Sequence, residues 1–138
     1  MKKLSILLSL IFLASCQTYK KKPFEINDKA SFEVYKIDSI NSYYLIYAKK
    51  ADTLYKIVSN KEKVKECYSI RKEMKYKFKI HAVSDNAPKI GGLKIKPMNY
   101  LDVACYQFDK ETKICREEGM YDIYYADNVK GLCFIKGN

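Results

Sequence analysis

Lys75-Tyr76-Lys77-Phe78-Lys79-Ile80-His81-Ala82 alternates between polar and apolar residues without a break. Tyr76, Phe78, Ile80 and Ala82 fall on one side, and Lys75, Lys77, Lys79 and His81 on the other. Successive side chains of a β-strand point to opposite faces, so this segment is a strand with one face in a core and one in water. The same period of two runs through the chain on either side. Ser31 to Ile37 carries Phe32, Val34, Tyr35 and Ile37, and its phase slips at Val34-Tyr35, which predicts a bulge. Tyr43 to Ala48 is apolar on both faces, as a strand covered from two sides would be, and Thr53 to Val58 resumes after the polar break Lys49 to Asp52. Two strands with so short a break between them make a hairpin.

Between that hairpin and the alternating strand, Ser59-Asn60-Lys61-Glu62 fits a capping box, followed by Val64, Cys67 and Tyr68 on one helical face. One short helix is therefore expected near residues 60–68. Further strands are expected at Leu93 to Lys96, Leu101 to Phe108, Lys113 to Arg116, Met120 to Ala126 and Leu132 to Lys136. They are separated by the turn-rich Asp85 to Pro88, by Gly91-Gly92, by Asp109 to Thr112, by Asp127-Asn128 and by Gly131. Many short strands with regular turn signals indicate a mainly β fold, a small barrel or sandwich. The order strand, hairpin, short helix, strand resembles the first four elements of an OB-like barrel, in which a helix sits between the third and fourth strands. That resemblance implies ligand recognition on the outer strand face.

The amino terminus has a different character. Lys2 and Lys3 precede an apolar run from Leu4 to Ala14, too short to cross a bilayer, which takes about 20 apolar residues. The run ends in Leu13-Ala14-Ser15-Cys16, which resembles the lipobox of bacterial lipoproteins. The resemblance implies that residues 1–15 are a lipoprotein signal peptide and that Cys16 is the acylated residue after cleavage. Two or three acyl chains then make a stable anchor, where one holds marginally. Residues 16–30 read as the lipidated cysteine and a tether, with Lys20, Lys21 and Lys22 solvated and Pro23 against helix; residues 31–138 form a single small β domain. Lipoproteins of the Bacteroidetes type carry acidic residues after the cysteine to direct surface export. Gln17-Thr18-Tyr19-Lys20-Lys21-Lys22 follows here, which implies a bacterial cell envelope location at the outer membrane, facing the periplasm.

Four cysteines remain: Cys67, Cys105, Cys115 and Cys133. In an exported chain of this size four cysteines point to two disulfides, with three pairings open. Cys105 and Cys115 would face each other across a hairpin with a three-residue loop, which leaves Cys67 for Cys133. A metal site is the alternative, but there is no C-x-x-C pair and only His81 to assist, so neither metal nor cofactor is expected.

The chain holds 26 Lys and Arg against 16 Asp and Glu, a net charge of +10. Such an excess favours association with anionic polymers or lipid, and export leaves nucleic acid the least available of these. Lys75, Lys77 and Lys79, joined by Lys56, form a basic stripe that would suit an anionic envelope polymer or glycan. Outward lysines on a strand are also ordinary and discourage edge-to-edge aggregation. Of Tyr121, Tyr124 and Tyr125, at most one is expected to be both exposed and free for a partner. His81 lies on the lysine side of its strand, and Glu117-Glu118 would point to opposite faces, so no catalytic constellation emerges. The expectation is a non-catalytic binding or assembly module held to the bilayer through Cys16, with an envelope protein as partner, and not an enzyme.

Overall fold

A computed structural model describes residues 30–86, 89–90, 93–94 and 104–136. Residues 1–29, on which the expected signal peptide, the acylated Cys16 and the tether fall, and residues 87–88, 91–92, 95–103 and 137–138 lie outside the described residues.

The strands are β1 (Phe32–Ile40), β2 (Tyr43–Lys50), β3 (Thr53–Asn60), β4 (Tyr68–Ser69), β5 (Lys75–Tyr76), β6 (Ile80–Ala82), β7 (Lys89–Ile90), β8 (Leu93–Lys94), β9 (Cys105–Gln107), β10 (Lys113–Cys115), β11 (Met120–Ala126), β12 (Val129–Lys130) and β13 (Cys133–Phe134). A short 3-10 turn, Val83–Asn86, follows β6. The protein is mainly β, as its alternating patterns require.

The main sheet has the order β5-β1-β2-β3-β11-β6. β1, β2 and β3 form an antiparallel meander through two-residue turns, since Ile40 pairs with Tyr43 and Lys50 with Thr53. β11 then joins β3 in parallel, and β6 joins β11 antiparallel. β5 and β6, at opposite ends of this order, are pieces of the one alternating segment 75–82. Its first residues pair with β1 (Glu33 with Lys75) and its last with β11 (Tyr125 with His81). The sheet therefore curls until a single chain segment touches both its edges. This makes a small, partly open barrel, the class to which OB-like barrels belong.

The segment is not one continuous strand because residues 77–79 pair with neither neighbour as a ladder. Asn128, in the turn after β11, fills the gap: its Oδ1 accepts from the Lys79 N–H at 2.8 Å and its Nδ2 donates to the Lys77 carbonyl at 2.8 Å. The Asp127 N–H adds a bond to the Lys79 carbonyl at 2.9 Å. A buried amide side chain thus supplies the hydrogen bonds that the missing ladder would have made.

Two cores lie on the two faces of the meander. Inside the barrel are Phe32, Val34, Ile46, Ala48, Ile57, Tyr76 and Phe78, with Phe134 over the end. Tyr76 and Phe78 stack at 5.4 Å, and Phe134 meets both rings. Outside are Leu45, Tyr47, Val58, Met120 and Ile123, covered by Ile114 of the β9–β10 hairpin. The double-faced apolar pattern of Tyr43 to Ala48 is explained by this second layer. The bulge expected at Val34-Tyr35 is present: the β1–β2 register shifts between Val34 and Lys36.

The expected helix near residues 60–68 is absent. Ser59 pairs with Tyr44 and is buried in the β3 ladder, and the Lys61 N–H extends that ladder to the Ser42 carbonyl at 2.7 Å. The capping serine is thus held in an extended backbone. The expected apolar face also has little to bury, with Val64 half-buried and Cys67 and Tyr68 exposed. Two helical turns are marginal alone, and here Tyr68 and Ser69 pair with Phe134 and Cys133 in the sheet β12-β13-β4.

Candidate functional site

The four cysteines pair as Cys105–Cys115 and Cys67–Cys133. Cys105 stands directly opposite Cys115 in the β9–β10 register, and the loop between Phe108 and Thr112 has three residues. Asp109 builds that loop, its Oδ1 accepting from the Glu111 and Thr112 amides at 2.9 and 2.8 Å. These bonds hold the Asp109 carboxyl below its ordinary pKa. Cys67–Cys133, with Cα atoms 5.2 Å apart, ties the irregular segment before β4 to β13 and not a helix to a strand.

The clamped hairpin lies on the outer face of β2, β3 and β11, the surface that would bind a ligand in an OB-like barrel. Ile114 is buried against Leu45, Val58 and Ile123, while Tyr106 and Phe108 pack at the margin. Tyr43 and Tyr125 flank Phe108 at ring separations of 5.4 and 5.7 Å. Burial, then a hydrogen bond to Asp122, push the Tyr106 hydroxyl up to about 12.

This cover decides the place of Lys56. The basic stripe expected from the sequence contained it, but Lys56 is 4% exposed and lies beneath the start of the 116–119 turn. Its Nζ donates to the Cys115 carbonyl at 2.6 Å and sits 3.0 Å from Glu117 Oε1. The Tyr47 hydroxyl donates to the same carboxylate oxygen at 2.8 Å, and Lys36 Nζ rests 4.5 Å from the Tyr47 ring centre. Bonds from Lys56 and then Tyr47 draw the Glu117 carboxyl below its ordinary pKa, while burial and that carboxylate push the Tyr47 hydroxyl up. Tyr35, 42% exposed, places its ring 6.1 Å from that of Tyr47. Glu117 is thus held through one oxygen by the buried Tyr47, whose ring the exposed Tyr35 flanks.

Lys75, Lys77 and Lys79 remain together on the exposed side of the alternating segment, with Tyr76 and Phe78 buried behind them. β1 and β2 lie between Lys75 on β5 and Lys56 on β3, and β11 lies between β3 and β6, the strand that Lys79 precedes. Glu33, opposite both Lys75 and Lys49, divides the basic charge. His81 joins its Nδ1 to Asp127 Oδ1 at 3.2 Å and lies against the Tyr125 ring at 5.6 Å. Of the three tyrosines of β11, Tyr121 is 65% exposed while Tyr124 and Tyr125 pack against the two cores. Among the described residues, no group of three or more His, Cys, Asp or Glu could hold a metal ion, and no helix there is long and apolar enough to cross a membrane.

In comparisons with known proteins, the chain matches no family model, and no curated protein or solved structure matches it significantly. The surfaces above are therefore argued from their own chemistry. The Tyr35-Tyr47-Glu117 cluster was not legible in the sequence. Tyr35 and Tyr47 meet through the β1–β2 register at the bulge, and Glu117 reaches them from the turn before β11, a contact that no local pattern announces.

Proposed function

We propose that this chain is a membrane-anchored envelope lipoprotein that acts as a non-catalytic binding or assembly module. The lipobox-like Leu13 to Cys16 supports the anchor, with export to the periplasmic side of the outer membrane. The observation that carries the module reading is the sealing of the outer face of β2, β3 and β11 by the chain's own disulfide-clamped hairpin. A strand face covered in this way is not open to a ligand, which supports contact with an envelope protein partner through the surface that remains. The four described cysteines are bound in disulfides and so carry no thiol for nucleophilic work, and His81 is paired with Asp127.

Membrane fractionation tests the anchor. The wild type should stay with membranes through a salt wash, and Cys16→Ala should remain an uncleaved precursor or become soluble. A processed Cys16→Ala chain still bound after the wash would refute it.

The exposed row Lys75, Lys77 and Lys79 favours a second reading, contact with an anionic envelope polymer or glycan. Cosedimentation with a sulfated polysaccharide as probe should weaken steeply with salt and be lost on reversal of all three lysines to Glu, because each phosphate- or sulfate-type contact releases counterions. Binding unaffected by the reversal would remove this reading and leave the protein partner.

A further inference from the structure

β1 is paired with β2 from Glu33 to Ile40, apart from the bulge at Tyr35, but only in part along its other edge. The two-residue turn at Asn41-Ser42 makes Ile40 and Tyr43 the closing hydrogen-bonded pair. Hydrogen bonding then alternates, so Lys36, Asp38 and Ile40 direct their backbone groups to β2, while Ile37 and Ser39 direct theirs to the opposite edge. That edge is used as far as Val34, whose N–H donates to the Met74 carbonyl at 3.0 Å and whose carbonyl accepts from the Glu73 N–H at 2.7 Å. The bulge at Tyr35 follows, and beyond it no strand among the described residues pairs with the edge. The Ser39 N–H is met by Asp38 Oδ1 at 2.8 Å, leaving both backbone groups of Ile37 directed outward. Lys36 and Asp38, the residues on either side, form an ion pair at 3.5 Å with side chains 50% and 53% exposed.

An open edge normally carries charge to keep other strands away. The charges here have a particular symmetry. In an antiparallel pairing centred on Ile37, Lys36 stands opposite position 38 of the incoming strand and Asp38 opposite position 36. A strand from a second copy supplies Asp38 to Lys36 and Lys36 to Asp38, with two Ile37-to-Ile37 backbone hydrogen bonds at the centre. Opposite charges directly across an antiparallel pair attract, and like charges repel.

We propose that the open half of the β1 edge is a self-association surface, on which two copies of the chain pair antiparallel about a two-fold axis at Ile37. The interface is isologous, so it closes as a dimer and does not propagate. It is short, because the Tyr35 bulge ends the register, and its population depends on concentration, which crowding on a membrane surface raises. The inference goes beyond the module reading and does not require acylation of Cys16.

Sedimentation equilibrium of the full chain in neutral detergent tests it, with near-ultraviolet circular dichroism confirming that each variant is folded. The wild type should show a reversible monomer–dimer equilibrium. Asp38→Lys and Lys36→Asp should each be monomeric, since each sets like charges against one another across the axis. An equimolar mixture of the two variants should dimerise again, and the double exchange Lys36→Asp/Asp38→Lys should dimerise as the wild type does. A wild type monomeric throughout, dimers that persist in either single variant, or folded variants that fail to reassociate on mixing would overturn the proposal. Persistent dimers would place the contact on another surface, and a monomeric wild type would leave the edge to a foreign strand.

Discussion

Lys56 shows how a residue changes meaning once its neighbours are known. Alternation along Thr53 to Val58 places it on the outer face of β3, which is correct, and an outward lysine is ordinarily solvated. It is instead buried because the hairpin folds over that face, and the Cys115 carbonyl and Glu117 carboxylate compensate its desolvation. Removing one partner of such a group costs more than replacing both sides with apolar atoms. Glu117 is half-exposed, so water softens its loss: Glu117→Gln should cost about 1–2 kcal/mol in urea denaturation. Lys56→Ala, which also leaves a cavity, should cost about 2–4 kcal/mol, whereas Lys56→Met, which keeps the volume but leaves the Cys115 carbonyl without its donor, should cost less, about 1–3 kcal/mol. The Glu117 pKa lies below its ordinary value of 4.5 in the folded protein. Its stabilisation is therefore complete above pH 4.5 and is lost as pH falls through the depressed value, an acid limb that Glu117→Gln should flatten. Tyr106 acts at the other end, its pKa raised from 10.0 to about 12. The unfolded chain loses that proton first, so stability should decline between pH 10 and 12, with tyrosinate absorbance lagging until unfolding.

Elements were legible where one pattern decided them and illegible where distant contacts did. The alternation at 75–82, the Tyr35 bulge and the three-residue Cys105–Cys115 hairpin all follow from local sequence. The capping box at Ser59 failed because its serine belongs to the β3 ladder, a tertiary claim that no local pattern announces. In the sequence Asn128 is only part of a turn, yet it joins the two pieces of the closing strand. Asn128→Ala, which leaves the partly buried Lys79 N–H and Lys77 carbonyl without these bonds, should lower stability by about 1–2 kcal/mol. Asn128→Asp keeps the acceptor and loses the donor, and should retain part of the stability if denaturation midpoints are compared. Turn chemistry gives an opposite pair of outcomes. Ala51 has φ +50°, so Ala51→Gly should stabilise the β2–β3 hairpin by roughly 0.5–1 kcal/mol, relief of left-handed strain exceeding the added entropy of the unfolded chain. Gly131 has φ +59°, and a Cβ there would come 2.5 Å from the Glu62 carbonyl oxygen. Gly131→Ala should accordingly shift the thermal midpoint well below that of Ala51→Gly.

On the scale of the molecule, the fold is a curled sheet with a core on each face and a disulfide at each cover. The mainly β class follows from the period-two patterns, but which face a partner could reach did not, because the hairpin that covers it begins more than 40 residues beyond β3. The two disulfides close loops of different length, 10 and 66 residues apart in sequence. Loop-closure entropy predicts a loss of roughly 3 kcal/mol for the shorter and more than 4 kcal/mol for the longer when each pair is replaced by serine, before native-state effects. Denaturation of the Cys105→Ser/Cys115→Ser and Cys67→Ser/Cys133→Ser variants checks that order. The shorter bridge should also matter locally, its loss raising hydrogen exchange in β9 and β10 before the meander.

Intact-mass spectrometry of the membrane fraction, followed by peptide mapping without reduction, tests the proposed lipid anchor and the disulfide clamp at once. The chain should begin at an acylated Cys16, with no free thiol and linked peptides joining Cys105 to Cys115 and Cys67 to Cys133. An unacylated mass, or thiols that react without reductant, would contradict this.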